Sequence, residues 1–139
     1  MVRAFYEASS AGVPVELIVR GACCLKPGLP GVSENIRVRS IVGRFLEHHR
    51  VYRFENGGDP ITLAASADLM SRNLLRRVET CFPILDPELA GRVYRECLQV
   101  PLQDNTQTWE LAPDGRYTRL SPGDAMSRES QRELLEELT

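Results

Sequence analysis

The chain has little lysine and histidine and no long apolar segment. Among its 139 residues Lys26 is the only lysine, and His48 and His49 are the only histidines. No apolar run approaches the roughly 20 residues that a membrane-spanning helix needs. The first residues also lack the apolar core and small-residue cleavage site of a signal peptide. These absences predict a cytoplasmic protein without a membrane span.

The cysteines do not follow a metal-binding or disulfide pattern. Two of them are adjacent, no CxxC pair is present, and neither histidine stands at zinc-finger spacing from a cysteine. We therefore expect no metal site in this chain, and reduced thiols typical of a cytosolic protein. The four cysteines are Cys23, Cys24, Cys81 and Cys97.

The charge composition argues against a nucleic-acid-binding protein, because the formal net charge is -2. Almost all of the positive charge is arginine, whose planar fork of N–H donors suits phosphate oxygens. A genome that favours arginine codons would give the same composition. The positions of the arginines, rather than their number, therefore have to indicate a function.

The pattern of predicted elements indicates a single domain of the α/β class. A helix that ends near Gly12 is followed by the strand-like run "VELIV", and this alternation is typical of α/β sheets. "RVYRFE" and "PITLAAS" predict an antiparallel hairpin around "NGGD", and "TCFPIL" predicts a further strand. Asp86 as N-cap and Pro87 at the first position predict a helix over 86–102. "TWELAPDGRYTRL" predicts a second hairpin.

Two further helices are predicted. "VRSIVGRFLEH" has apolar residues at spacings of three and four, which predicts a short amphipathic helix. Residues 121–139 form an acidic end that predicts a loop followed by a frayed terminal helix. The expected division is therefore a domain over 1–120 and a helix or tail over 121–139.

Several polar side chains could form a phosphate site. His48 and Arg50 are two residues apart, so an extended strand would place them on one face. Arg20 leaves the C-terminal end of a predicted strand, where open α/β sheets bind ligands. An imidazole can donate to a phosphate oxygen or move a proton, and guanidinium groups offset phosphate charge. The supporting candidates on the hairpin and beyond it are Glu55, Ser66, Asp68, Arg72 and Asn73.

The same residues have ordinary explanations. Adjacent histidines at a junction between elements are commonly surface residues, and arginines commonly form exposed ion pairs of little energy. Ser66 and Asn73 fit turn or cap positions. Spacing alone leaves these alternatives open.

Three motifs in order resemble a known family. "GVPVELIVRGACCLKPGLPGVSENIRVRSIVGRFLEHHRVYRFENGG", "SADLMSRNLLRRVETCFPILDPEL" and "DNTQTWELAPDGRY" resemble the last domain of the large bacterial polyphosphate kinases. The resemblance runs from about Tyr6 to Tyr117. It implies a phospholipase D-like fold, with a mixed sheet flanked by helices in a single domain. "H-x-R", Glu55 and "ASAD" resemble the His-x-Lys, acid and Gly-Ser-x-Asn pattern of that superfamily, with substitutions.

The resemblance implies an activity and roles for two residues. Polyphosphate kinases reversibly transfer a phosphate between ATP and polyphosphate with Mg²⁺, through a phosphohistidine in the preceding domain. By motif, Arg20 in "LIVRG" and His48 in "FLEHHR" would face the ATP phosphates. Mg²⁺ would arrive with ATP, and none would be held by this chain alone.

The resemblance also sets expectations about partners. The domain with the covalent histidine does not match this sequence, so the chain is expected to be inactive alone. Its partners would be ATP, ADP, polyphosphate and the upstream domains or a separate chain that supplies them. A homo-oligomer is a further expectation, because the face that meets those domains would be exposed. Two departures from the family pattern, Leu69 and the stretch 107–109, would weaken contacts with polyphosphate or with a neighbouring domain, or be neutral.

Two other functions remain open. The first is a stand-alone module that binds polyphosphate, nucleotide or a phosphorylated partner without catalysis. The second is a degenerate remnant that binds no ligand. Retention of Arg20, His48, Arg50, Ser66 and Asn73 together argues against the remnant.

Overall fold

Two β-sheets organise the protein, each in its own structural unit. The computed structural model describes residues 1–139. The first unit comprises Met1–Glu47 with Gln103–Thr139, and the second comprises His48–Leu102. No helix in either unit has the length and apolar character needed to cross a bilayer.

The first unit combines a helix and two strands from residues 1–47 with a hairpin and a helix from residues 103–139. Its helices and strands are α1 (Val2–Ser10), β1 (Val15–Ile18), β2 (Ile36–Ile41), β6 (Thr108–Leu111), β7 (Tyr117–Arg119) and α5 (Ser130–Leu138). The strands form a mixed sheet in the order β1-β2-β6-β7, in which β1 and β2 are parallel and the other pairs are antiparallel. The α/β class and the mixed sheet predicted from the sequence are confirmed.

The core of the first unit lies on one face of this sheet. Ile36 and Val38 alternate inward along β2 and are buried with Leu25 and Leu111. Phe5 and other apolar side chains of α1 and β1 pack against this cluster. β2 has a partner strand on each side, and three of its six residues, Ile36, Val38 and Ile41, are buried.

The second unit is a small antiparallel sheet with helices. Its elements are β3 (Val51–Phe54), β4 (Ile61–Ala65), α2 (Ser71–Arg76), β5 (Cys81–Pro83), α3 (Pro87–Tyr94), a π-helical turn (Arg95–Gln99) and α4 (Val100–Leu102). The sheet order is β3-β4-β5. Asp86 caps α3, since its Oδ1 accepts from the backbone N–H of Leu89 at 2.8 Å. The predicted hairpin, the strand over 81–83 and the capped helix are confirmed.

The backbone conformation of the turn between β3 and β4 explains why the turn contains two glycines. Asn56, Gly57 and Gly58 have φ angles of 45, 66 and 100°, all in the left-handed region. Glycine adopts this region without a steric penalty, and asparagine tolerates it better than most residues do. The "NGG" sequence therefore allows the chain to reverse here and set the register in which Phe54 pairs with Ile61.

The predicted helix over "VRSIVGRFLEH" is wrong. Residues 36–41 form β2, and the chain then bends without forming a helix; Val42, Phe45 and Leu46 are exposed. The apolar spacing fitted a helix, but β-branched residues at alternate positions also fit a strand. Backbone hydrogen bonds to β1 and β6 and burial in the sheet favour the strand over an isolated short helix.

The predicted C-terminal helix is present as α5, and its first turn is packed. Ser130 and Gln131 are buried, and α5 belongs to the first unit. The domain boundary expected near residue 120 stays a prediction.

Candidate functional site

Arg20 of the first unit lies just beyond the end of the β1 edge strand. The backbone N–H of Val19 donates to the carbonyl of Arg39 on β2 at 2.7 Å, which extends the parallel pairing up to the residue before Arg20. Arg20 Nη1 donates to the backbone carbonyl of Glu47 at 2.9 Å. A guanidinium has five N–H donors, so this bond orients an exposed Arg20 and leaves donors for an anionic ligand.

His48, Arg50 and Asp68 of the second unit form a hydrogen-bonded series. Arg50 Nη1 lies 3.0 Å from His48 Nδ1 and also donates to the His48 carbonyl at 3.0 Å. Arg50 Nε and Nη2 both donate to Asp68 Oδ1, at 3.0 and 2.8 Å. The structure therefore brings together three of the residues predicted from the sequence.

The contact with Arg50 determines which nitrogen of His48 can donate. A guanidinium has no acceptor, so a hydrogen bond at this contact requires the tautomer in which Nδ1 of His48 is the acceptor. The proton of the neutral ring then lies on Nε2, which remains as the donor of an exposed side chain. His48 is thus arranged to donate to an oxygen of a ligand.

Asp68 holds the guanidinium of Arg50 in place. The two side chains are 20% and 32% exposed, and the N–H donors of Nε and Nη2 converge on one carboxylate oxygen. A charge-assisted bond of this kind is shorter and stronger than a neutral one. Arg50 therefore lies between the carboxylate of Asp68, which holds it, and the imidazole of His48, which Arg50 orients.

Tyr52 is a neighbour of this series that the sequence reasoning missed. Burial raises the pKa of Tyr52, and the nearby Cys81 and Asp68 add to that rise while Arg50 opposes it. Its hydroxyl lies 3.5 Å from the carbonyl of Ala67. The signal was available, because Tyr52 stands two residues after Arg50 and therefore shares its face of the strand.

The extended backbone at His48 and Arg50 differs in detail from the prediction. β3 begins at Val51, so both residues precede the strand. A backbone hydrogen bond from Ala65 to the Arg50 carbonyl, at 2.9 Å, keeps Arg50 in line with the sheet. His49 has a different environment, since its Nε2 lies 3.1 Å from the carbonyl of Cys97.

The supporting candidates do not all join the series. Glu55 forms an ion pair with Arg53 at 3.5 Å. The Ser66 hydroxyl donates to Glu79 and accepts from the backbone N–H of Thr80 at 3.0 Å. Ser66 thus ties the end of β4 to the segment before β5, which is a role in the sheet.

The two candidates on α2 have opposite exposures. Arg72 is exposed, whereas Asn73 is buried and its side-chain oxygen has no hydrogen-bond partner. No three side chains of the metal-binding types His, Cys, Asp and Glu gather at one place in the described chain. Separately in each unit, the N–H donors of Arg20 and of His48 and Arg50 suit an anion.

The coupling between Arg50 and Asp68 can be measured directly. We expect a double-mutant cycle of Arg50→Ala and Asp68→Ala to give a coupling free energy of about 1 kcal/mol in urea unfolding, because the pair is only partly exposed. The exposed pair Arg3 and Glu7 is the control, with an expected coupling under about 0.5 kcal/mol. Equal coupling in the two pairs would contradict a fixed Arg50.

Comparison with known proteins adds an independent line of information. The family model "Polyphosphate kinase C-terminal domain 2" matches residues 1–131. A polyphosphate kinase of Xylella fastidiosa strain Temecula1 is 60% identical over 139 residues, covering 99% of this chain and 20% of the relative. A polyphosphate kinase of Pseudomonas aeruginosa is 58% identical, with the same two coverages. The chain thus spans about one fifth of the length of these relatives.

A solved structure agrees with the sequence comparisons. The crystal structure of polyphosphate kinase from Porphyromonas gingivalis matches with a TM-score of 0.93 and 37% identity, over 99% of this chain and 21% of that one. The similarity confirms the phospholipase D-like fold expected from the motifs. Because the family model covers almost the whole chain, this protein belongs to the polyphosphate kinase family and corresponds to its C-terminal domain 2.

Proposed function

We propose that this chain binds the phosphate groups of ATP and polyphosphate during reversible phosphoryl transfer between them. The series Asp68–Arg50–His48 carries the proposal, because it leaves the Nε2–H of an oriented imidazole as a donor beside a fixed positive charge. Phosphoryl transfer spreads negative charge over the equatorial oxygens, and pre-oriented cations and donors stabilise that charge. The names of the relatives support ATP and polyphosphate as the substrates.

Each residue has a part in this proposal. Arg20 and His48 contact phosphate oxygens, and Arg50 orients His48 and adds positive charge. Asp68 fixes Arg50, while Glu55, Ser66, Arg72 and Asn73 support the surrounding backbone or extend the phosphate-binding surface. His48 acts as a donor or moves a proton, and the covalent phosphohistidine is assigned to the rest of the family protein.

The proposal includes partners and a location. Upstream domains, on the same or another chain, complete the active site, and a homo-oligomer is a further proposed assembly. Mg²⁺ enters with the nucleotide as part of the substrate, and Asp68 is already engaged by Arg50. A cytoplasmic location is supported by the cysteine pattern in the sequence, which is typical of reduced thiols.

Titration with ATP and with long-chain polyphosphate tests the proposal. We expect saturable binding at low salt that weakens at high salt, since exposed charges are screened. The double variant Arg20→Ala/His48→Ala should lose at least about tenfold in affinity, the equivalent of one charge-assisted contact. His49→Ala is the matched control and should bind as the wild type does. Unchanged affinity in the double variant would overturn the assignment.

A second experiment addresses catalysis. Mixing the folded chain with a protein that supplies the upstream domains should produce phosphate transfer from ATP to polyphosphate. The Arg20→Ala/His48→Ala variant should remain silent in the same mixture. A wild-type mixture without transfer, although both parts are folded and bind each other, would contradict the catalytic role.

A further inference from the structure

Gln131, on the first turn of α5, reaches a loop more than 80 residues away in the sequence. It is 7% exposed. Its side-chain Oε1 accepts from the backbone N–H of Phe45 at 2.9 Å, and its Nε2 donates to the Phe45 carbonyl at 2.8 Å. Nε2 also donates to the Glu47 carboxylate at 2.7 Å. One side-chain amide therefore binds both the N–H and the carbonyl of Phe45, and it also binds the side chain of Glu47.

The loop approaches this amide closely. A Cβ atom built on Gly43 would lie 2.5 Å from Gln131 Oε1, a distance that real Cβ atoms do not show. The backbone of Gly43 is not in the left-handed region, so space rather than conformation favours glycine here. The close approach of Gly43 and the hydrogen bonds of Phe45 and Glu47 show that the loop 43–47 contacts the Gln131 side chain along its length.

Gln131 is itself held in place by its neighbour. The backbone N–H and the hydroxyl of Ser130 both donate to Asp104 Oδ2, at 2.8 and 2.9 Å. Asp104 and Ser130 are buried, so the first turn of α5 is fixed on the body of the first unit. Because the first turn of α5 is fixed, the amide of Gln131 is fixed as well and holds the loop in place.

The loop ends at the group that orients Arg20. The carbonyl of Glu47 accepts from Arg20 Nη1 at 2.9 Å. The carboxylate of the same residue is bound by Gln131. If residues 45–47 became more mobile, the carbonyl of Glu47 would become more mobile with them. This carbonyl is the acceptor that orients the Arg20 guanidinium.

We propose that Gln131 is a positioning residue that fixes the guanidinium of Arg20 through the loop 43–47. The inference rests on the proposed function for its biochemical meaning, since Arg20 is the phosphate contact there. It adds that the C-terminal helix influences the phosphate affinity of Arg20, which lies just beyond the first strand. Gln131 touches no ligand in this proposal.

Nuclear magnetic resonance of the Arg20 side chain provides the direct test. In Gln131→Met, which keeps the length of the side chain but removes its hydrogen bonds, the Phe45 amide should exchange at least about tenfold faster. The order parameter of Arg20 Nε should fall in the same variant. Arg132→Met, at the exposed next position, is the control and should change neither quantity. An Arg20 Nε order parameter that stays at the wild-type value in Gln131→Met would overturn the proposal.

Ligand binding separates this inference from the proposed function. For a probe of inorganic tripolyphosphate, Gln131→Met should lose at least about fivefold in affinity, and this loss should disappear in an Arg20→Ala background. The same loss in both backgrounds would mean a general structural effect and would overturn the inference. If the wild type does not bind tripolyphosphate, the proposed function fails, whereas the Arg20 order parameter still decides the positioning.

A second variant tests the same contact in case Gln131→Met does not fold. In Gly43→Ala the added Cβ displaces either the amide of Gln131 or the loop, and either displacement disturbs the contact between them. It should lower the Arg20 Nε order parameter in the same direction as Gln131→Met. A folded Gly43→Ala protein with wild-type Arg20 dynamics would contradict the proposed route.

Discussion

Asp104→Ala is expected to lower the free energy of unfolding by about 3 kcal/mol, because the variant leaves several buried donors without an acceptor. Asp104 is 2% exposed. Its Oδ1 accepts from the backbone N–H groups of Thr106 and Gln107 at 2.9 and 2.7 Å, and its Oδ2 accepts from Ser130. The side chain therefore joins the start of β6 to the first turn of α5.

This stabilisation should depend on pH. Burial alone would raise the pKa of Asp104, but hydrogen bonds donated by Ser130, Gln107 and Thr106 outweigh burial and lower it. A carboxylate whose pKa is lower in the folded state stabilises the fold fully above its unfolded value of about 4. The contribution is then lost as the pH falls through the lower folded pKa.

Urea unfolding followed by the single tryptophan, Trp109 on β6, measures both effects in the first unit. The difference between wild type and Asp104→Ala should be largest near neutral pH and should narrow below about pH 4. Asp114→Ala, at an exposed turn position, is the control and should change stability by under about 0.5 kcal/mol. A difference that is the same at pH 6 and at about pH 2 would contradict the depressed pKa.

Ile36→Ala is expected to lower the free energy of unfolding by about 3 kcal/mol, through lost apolar burial and the cavity that remains. Ile36 is 2% exposed and lies in the core cluster with Leu25, Val38 and Leu111. Ile36 pairs with Val15 in the parallel ladder of β1 and β2, so the surrounding backbone has little freedom to close the cavity.

A graded series makes this prediction specific. Ile36→Val should cost only about 1 kcal/mol, since it removes one methylene. Ile61→Ala changes the same residue type on a strand of the second unit, where Ile61 is 41% exposed, and should cost about 1 kcal/mol or less. Equal losses at positions 36 and 61 in urea unfolding would show that the core does not depend on Ile36.

Local signals in the sequence predicted those elements whose geometry is determined by neighbouring residues. α3 begins where Asp86 and Pro87 predicted, because capping involves contacts only three residues apart. The hairpin of β3 and β4 follows from alternation and from the left-handed turn at 56–58. The same alternation predicted the pairing of His48 with Arg50, whose roles in phosphate binding stay a prediction.

The remaining features depend on partners far away in the sequence. Asp68 was a candidate from its motif, yet only the fold shows that it meets Arg50 rather than Ser66 or Glu55. Gln131 carried no signal, because an isolated glutamine on an acidic helix resembles an ordinary surface residue. Its contact with Phe45 joins positions 86 residues apart.

Local patterns and motifs in the sequence are enough to predict the α/β class, most of the helices and strands, and membership of the polyphosphate kinase family. The fold was needed to show that residues 36–41 are a strand, and that Asp104 and Gln131 hold the C-terminal helix against the rest of the first unit. The reason is physical, since apolar spacing alone allows either a helix or a strand. Burial and the hydrogen-bond partners supplied by distant strands then select one of them.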